Sequence, residues 1–152
     1  TISAQQRMQG FIDACLLQRA DLKIVAAAES PYHQRNKAGD IMAQWLRQGL
    51  HPDAVAAAND EIAIGAWKAL HEANSAKGVL ISGIDASEEA CQLIAEGELA
   101  QTVQQDAVGE AQGAYDALLQ IIHEGNQHPD DIIVPVISIT NENVQKTANE
   151  DG

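Results

Sequence analysis

A chain of 152 residues sets 9 lysines and arginines against 22 aspartates and glutamates, a formal charge of −13 and a pI near 4.5. Phosphate neutralisation needs clustered basic side chains, and none occurs between Lys77 and Lys146, so nucleic acid and anionic membrane surfaces are disfavoured as partners. With 45% apolar residues the chain is too apolar for disorder; no run approaches the roughly 18 apolar residues of a membrane span, so direct membrane insertion is not expected.

Ser3 and Gln6 have capping-box spacing, which predicts a helix start, and Met8, Phe11, Ile12, Cys15 and Leu16 then fall on one helical face. Leu22 to Ala28, rich in small and β-branched residues, reads as a buried strand. A second helix carries Ala38, Ile41, Met42, Trp45 and Leu46 on one stripe. His51-Pro52-Asp53 breaks it from a short strand, Ala54 to Ala58. Asn59-Asp60-Glu61 opens a helix, since acidic residues suit the positive end of the helix dipole. That helix runs to about Ala73 with Ile62, Ala66 and Leu70 inward. Gly78 to Ile84 is a strand centred on Val79, Leu80 and Ile81. Asp85 and Glu88 form a second capping box, opening a helix through Ile94 that stops at Gly97. Leu99 to Val103 is the next strand, and Ala107 to Glu124 a long helix with Ala111, Ala114, Leu118, Ile121 and Ile122 inward. Ile132 to Ile139 closes the set as a strand interrupted by Pro135; the polar tail after Asn141 is expected to fray.

Strands alternating with helices imply βαβ crossovers and a doubly wound parallel sheet, an α/β fold covered on both faces. Ligands in such sheets bind beyond the carboxyl ends of strands, a rule that picks out Asn59, Asp85 and Gln105. The first element is a helix with no strand before it, and the chain opens at Thr1 without an initiator Met, so the fragment is expected to begin within a domain.

Each candidate has a plain reading beside a functional one. Asp85 is either an N-cap or a carboxylate accepting two hydroxyl hydrogen bonds from a polyol. Asn59 caps a helix or offers an acceptor and donors to a hydroxylated ligand. Arg7 is placed on the first turn of a helix, where a cation opposes the dipole; it is either a solvated arginine or one used elsewhere. Gln105 alone reads as a surface glutamine. Cys15 and Cys91 sit among apolar residues as inert thiols, with a bridge between them left open. His33, His51, His71, His123 and His128 lie in different elements without the spacing of a metal site. No nucleophile elbow or phosphate-binding glycine loop occurs, so no catalytic residue, cofactor or enzymatic activity is expected.

Read in order, four stretches resemble periplasmic sugar-binding proteins of the ribose-binding type. Thr1-Ile-Ser-Ala-Gln-Gln-Arg-Met-Gln-Gly-Phe11 is similar to that family's Ser-x-x-x-Arg-x-x-Gly-Phe helix start. Ala57-Ala-Asn-Asp-Glu-Ile-Ala-Ile-Gly-Ala66 resembles its Ala-x-Asn-Asp-Glu-Met-Ala-x-Gly-Ala. Ser82-Gly-Ile-Asp85 resembles its Gly-Phe-Asp, and Ile94 to Gln105 its Ile-x-x-Gly-x-Leu-x-x-Thr-Val-x-Gln. Ile133 to Ile137 is similar to the closing strand. The family folds as two Rossmann-like lobes closing over one sugar, and the resemblance places this chain in the carboxy-terminal lobe without its first strand. It implies a lobe over 1–105, a segment 106–131 packing on the missing amino-terminal lobe, a returning strand over 132–144 and a polar tail over 145–152.

The resemblance carries the ligand roles onto Arg7, Asn59, Asp85 and Gln105, with Tyr32 as a ring-stacking aromatic. It departs where the aromatic before the aspartate is Ile84, which weakens stacking on that side. It implies a periplasmic protein that binds a monosaccharide by hinge closure and presents it to the membrane permease of an ABC transporter. The alternatives are the effector domain of a lac-repressor-type transcription factor and the sugar-sensing ectodomain of a receptor.

Overall fold

In the computed structural model, which describes residues 2–18, 21–29, 34–124 and 132–147, four strands form one sheet. They are β1 (Ala54–Ala56), β2 (Leu80–Ser82), β3 (Gln101–Gln105) and β4 (Val136–Thr140), in that spatial order. β1 to β3 run parallel, as the crossovers through α3 (Asp60–Glu72) and α4 (Glu88–Ala95) require. β4 runs antiparallel to β3 in register Thr102↔Ile139, so the parallel sheet of the sequence reading ends in one antiparallel edge strand. Backbone bonds prolong the ladders past the strand ends: Ala57 N–H donates to Ser82 O (2.9 Å), Gly83 N–H to Gln101 O (2.9 Å) and Asp85 N–H to Val103 O (2.9 Å).

One face of this sheet carries the core. Val55, Ile81, Thr102 and Ile139 share it, and Ile64 and Leu70 of α3 and Ile94 of α4 belong to the same cluster as Ile81 and Ile139. Met42 joins from α2 (Arg35–Arg47), which lies on α3. Each fully buried side chain of this size is worth about 2–5 kcal/mol against alanine. The α2–α3 contact is close because it is built on glycine. A Cβ on Gly65 would overlap the carbonyl oxygen of Arg35 and sit 3.1 Å from Ala38 Cβ.

The opposite face and the outer segments differ from expectation. Leu80, read as the centre of a buried strand, is 63% exposed and points away from Ile81's face. Residues 22–28 form no strand and pair in no ladder, and Leu22, Ile24 and Val25 are exposed. A strand needs a neighbour to receive its N–H and C=O groups, and the described residues offer 22–28 none. In α1 (Ile2–Gln18), Met8 and Phe11 of the predicted inward face are exposed while Ile12 and Cys15 are half-buried; the Leu16 side chain lies outside the described residues.

In α5 (Ala107–Glu124) the predicted inward set is turned to solvent: Ala111, Ala114, Leu118, Ile121 and Ile122 are all exposed. Its pattern is amphipathic, but what it meets in this chain is the segment before β4, with Gly109 against Val134 and Gly113 against Ile132. Residues 132–135 form no strand. The tail does not fray at Asn141. Asn143 Oδ1 accepts from Thr140 N–H (2.8 Å) and its Nδ2 donates to Ser138 O (2.8 Å), and α6 (Val144–Thr147) follows with Val144 in the core.

Candidate ligand site

The carboxyl ends of β1, β2 and β3 bring the candidate residues to one rim. After β1 the chain enters α3 through Asn59, in extended conformation, whose Oδ1 accepts from Ile62 N–H at 3.0 Å. The capping reading of Asn59 is therefore correct. It uses the amide oxygen and not the amide nitrogen, so donors stay available to a ligand. Asn59 is only 8% exposed, which fixes its side chain in place.

After β2 the outcome is the opposite. The N-cap of α4 is Ser87, whose hydroxyl accepts from Ala90 N–H (3.3 Å), not Asp85 as the capping box suggested. Asp85 lies two residues earlier with φ at 119°, followed by Ala86 at φ 52°. Two consecutive non-glycine residues in this region cost about 1–3 kcal/mol each, a strain that persists only where the surroundings hold it. The turn throws the Asp85 carboxylate toward β3, where Oδ1 accepts from Gln105 Nε2 at 2.9 Å.

Gln105 continues the chain of contacts. Its Oε1 accepts from Arg7 Nη2 at 3.2 Å, and Arg7 Nη1 donates to Ala58 O at 2.8 Å, the residue before Asn59. The amide orientation follows from its partners, because a carboxylate only accepts and a guanidinium only donates. Arg7 sits in the second turn of α1, beyond the reach of the adverse dipole expected from the sequence. Arg7, Gln105 and Asp85 thus form one hydrogen-bonded line that runs beside Asn59. Tyr32 lies outside the described residues.

Two further groups support the rim, and no local pattern in the sequence marks either. Arg35, at the start of α2, makes two paired contacts. Nε and Nη2 meet Glu61 at 2.9 and 2.6 Å, while Nη1 and Nη2 meet Glu89 at 2.9 and 2.7 Å. It ties together the first turns of α2, α3 and α4. The hydrogen bonds to Glu61 and then Glu89 hold the guanidinium charged, and those from Arg35 push the Glu61 carboxyl below the usual range.

Asp60 is the second group. It is 1% exposed, with Oδ2 accepting from Ser87 N–H (2.7 Å) and Oδ1 from the Thr102 hydroxyl (2.7 Å). Cys91 lies near, its thiol donating to Ala86 O; burial, then the Asp60 charge, push that thiol up. Both cysteines are free.

Among the described residues no group of three or more His, Cys, Asp or Glu could hold a metal ion, and no helix is long and apolar enough to cross a membrane. A recess of about 200 Å³ lined by His51, Asp53 and Lys77 lies at the amino ends of β1 and β2, away from this rim.

The family model for the periplasmic binding protein domain matches residues 2–127. A protein named for rhizopine binding in Rhizobium meliloti is 43% identical over 73% of this chain and 36% of its own length. The ribose import binding protein of Salmonella typhimurium is 34% identical over 72% of this chain and 36% of its own. Among solved structures, an ABC transporter solute binding protein of Bacillus halodurans with bound myo-inositol matches at TM-score 0.75 and 30% identity, over 91% of this chain and 47% of that one. The chain spans about a third of the length of these curated relatives.

Proposed function

This chain belongs to the periplasmic binding protein family, and on that premise we propose that it supplies one half of a cleft that binds a single small sugar or cyclitol for an ABC-type importer. Relatives named for rhizopine and ribose, and a structural neighbour holding myo-inositol, share small polyhydroxylated ligands as a theme. The observation that carries the reading is the line Arg7–Gln105–Asp85 beside Asn59 at the strand ends. Such a set offers a polyol what it needs: fixed donors and a charged acceptor already aimed by their own hydrogen bonds.

In this proposal Asp85 accepts from two hydroxyls, Asn59 and Arg7 donate, and Gln105 keeps both in register. Tyr32 stacks on the C–H side of the ring. Among the described residues Asp85 and Gln105 of the rim are exposed, so affinity requires a second lobe to close on it. An open form is sampled, and a ligand touching both lobes stabilises the closed one. Residues 106–131 pack on that amino-terminal lobe before 132–144 return. The exposure of Leu118 and Ile122 on α5 and of Ile133 supports this, because clustered apolar surface marks an interaction face. Periplasmic location and delivery to a membrane permease complete the reading.

The test is calorimetry on the two-lobed protein with D-ribose, D-allose, xylitol and myo-inositol. Asp85→Ala is expected to cost about 2–4 kcal/mol of binding, since buried hydroxyls lose a charged acceptor. Unchanged affinity for the tightest of the four would remove Asp85 from the site.

A further inference from the structure

We infer that Asp60 is a positioning residue for ligand binding, acting through Asp85 by clamping the backbone on either side of it; the inference rests on the polyol reading of the rim. Asp60 reads in sequence as a carboxylate complementing the α3 dipole. Its carboxylate instead turns away from α3 and reaches the neighbouring loop and strand. Oδ2 takes the N–H of Ser87, and Oδ1 takes the hydroxyl of Thr102, whose oxygen in turn accepts the N–H of Ala86 at 3.2 Å. Asp60's own N–H donates to Ile84 O at 2.8 Å. A Cβ on Gly83 would overlap Asp60 Oδ1, so residue 83 is glycine where the carboxylate lies against the chain.

Residues 84, 86 and 87 are therefore held by Asp60, directly or through Thr102, and Gly83 packs against its carboxylate. Residue 85 between them is pinned to β3 by its own N–H on Val103 O (2.9 Å), at the positive φ that aims its carboxylate at Gln105. A buried carboxylate is costly unless every lone pair is used, and an ordinary turn does not need one. Here the charge is used to hold two consecutive N–H groups in a backbone shape that residues 85 and 86 do not adopt readily. The arrangement makes Asp60 a support for the direction of Asp85, not a group that touches ligand.

The experiment measures affinity in the two-lobed protein for whichever of D-ribose, D-allose, xylitol and myo-inositol binds tightest. Asp60→Asn, Thr102→Val and Thr102→Ser are each made with Asp85 present and in an Asp85→Ala background. Asp60→Asn and Thr102→Val are expected to weaken binding about tenfold, within the range of coupling inside one hydrogen-bond network, and Thr102→Ser to restore it. With Asp85 already alanine, the losses should vanish. A merely structural role would give the same loss in both backgrounds, and that result overturns the inference, as does unchanged affinity with Asp85 present. Should Asp60→Asn fail to fold, the Thr102 pair decides alone. If Asp85→Ala weakens binding while Asp60→Asn and Thr102→Val do not, only this inference falls. If no probe binds, or Asp85→Ala changes nothing, the polyol reading falls and takes the inference with it.

Discussion

Residues 35–105 and residues 107–124 with 132–137 carry hydrophobic patterns of similar strength, yet the first region buries its pattern and the second leaves most of it exposed. Ile64, Leu70, Ile81 and Ile94 are fully buried between α3, α4 and the sheet; Leu118, Ile122 and Ile133 stand exposed, the last at 90%. Periodicity states which side of a helix is apolar, and only a partner turns that side into a core. The sharpest way to break the comparison is a paired truncation in the 152-residue chain. Ile81→Ala should cost about 2–5 kcal/mol in urea unfolding, whereas Ile122→Ala should change stability by less than about 0.5 kcal/mol. Equal losses would mean that α5 is packed in solution.

Glycines make the same contrast at the level of backbone. In the closed region Gly65 faces the carbonyl of Arg35, so Gly65→Ala must push two helices apart. The overpacking outweighs the gain in helix propensity, and a net loss of about 2 kcal/mol is expected. In the open region the nearest atom to a Cβ on Gly113 is Ile132 Cγ2 at 3.0 Å, on a half-exposed residue outside any strand or helix, whose backbone can shift by the few tenths of an ångström needed. Gly113→Ala should stay within about 0.5 kcal/mol of the parent. Thermal midpoints of the two variants measured together check the pair.

What the sequence made legible follows the same division. The strands before Asn59, Asp85 and Gln105, and the helices between them, are readable because each is completed by neighbours within a few dozen residues. The strand at 22–28 is not formed, since pairing is a property of two segments and its pattern describes one. Asn59 and Ser87 are both good N-caps by residue type, and a capping box shifted by two positions sufficed to misplace the cap onto Asp85. The Arg35 and Asp60 contacts were out of reach for a different reason. They join residues 26 to 54 positions apart, and nothing local distinguishes a buried Asp60 from the exposed Glu61 beside it.

The Arg35 network gives a smaller effect with a defined sign. Glu61 is held below its unfolded carboxyl range by the guanidinium, so its contribution is fully present above the unfolded value and is lost as pH falls through the folded one. Arg35→Gln should therefore cost about 1 kcal/mol near neutrality and little in acid, flattening that part of the stability profile. The effect is small because Glu61's side chain is 49% exposed and water screens the pair. Urea midpoints from neutral to acidic pH would read it, and an undiminished acid slope in the variant would assign the slope to other carboxylates.

The smallest expected effect has the opposite direction and sharpens the contrast most. Gly10 lies inside α1, where no atom comes within 4 Å of an added Cβ. A helical glycine in open space loses backbone entropy on folding that alanine does not, so Gly10→Ala should raise the stability of this chain by about 0.5–1 kcal/mol. The neighbouring Phe11 and Met8 are exposed, as they would be on a surface awaiting a partner. If the chain is one lobe of a two-lobed protein, as proposed, the same substitution in that protein separates two pictures of the surface. Stabilisation in both contexts would leave the Gly10 side of α1 in water. Stabilisation of the chain with destabilisation or weakened sugar binding in the longer protein would put a second lobe against it, close enough that a single methyl group is felt.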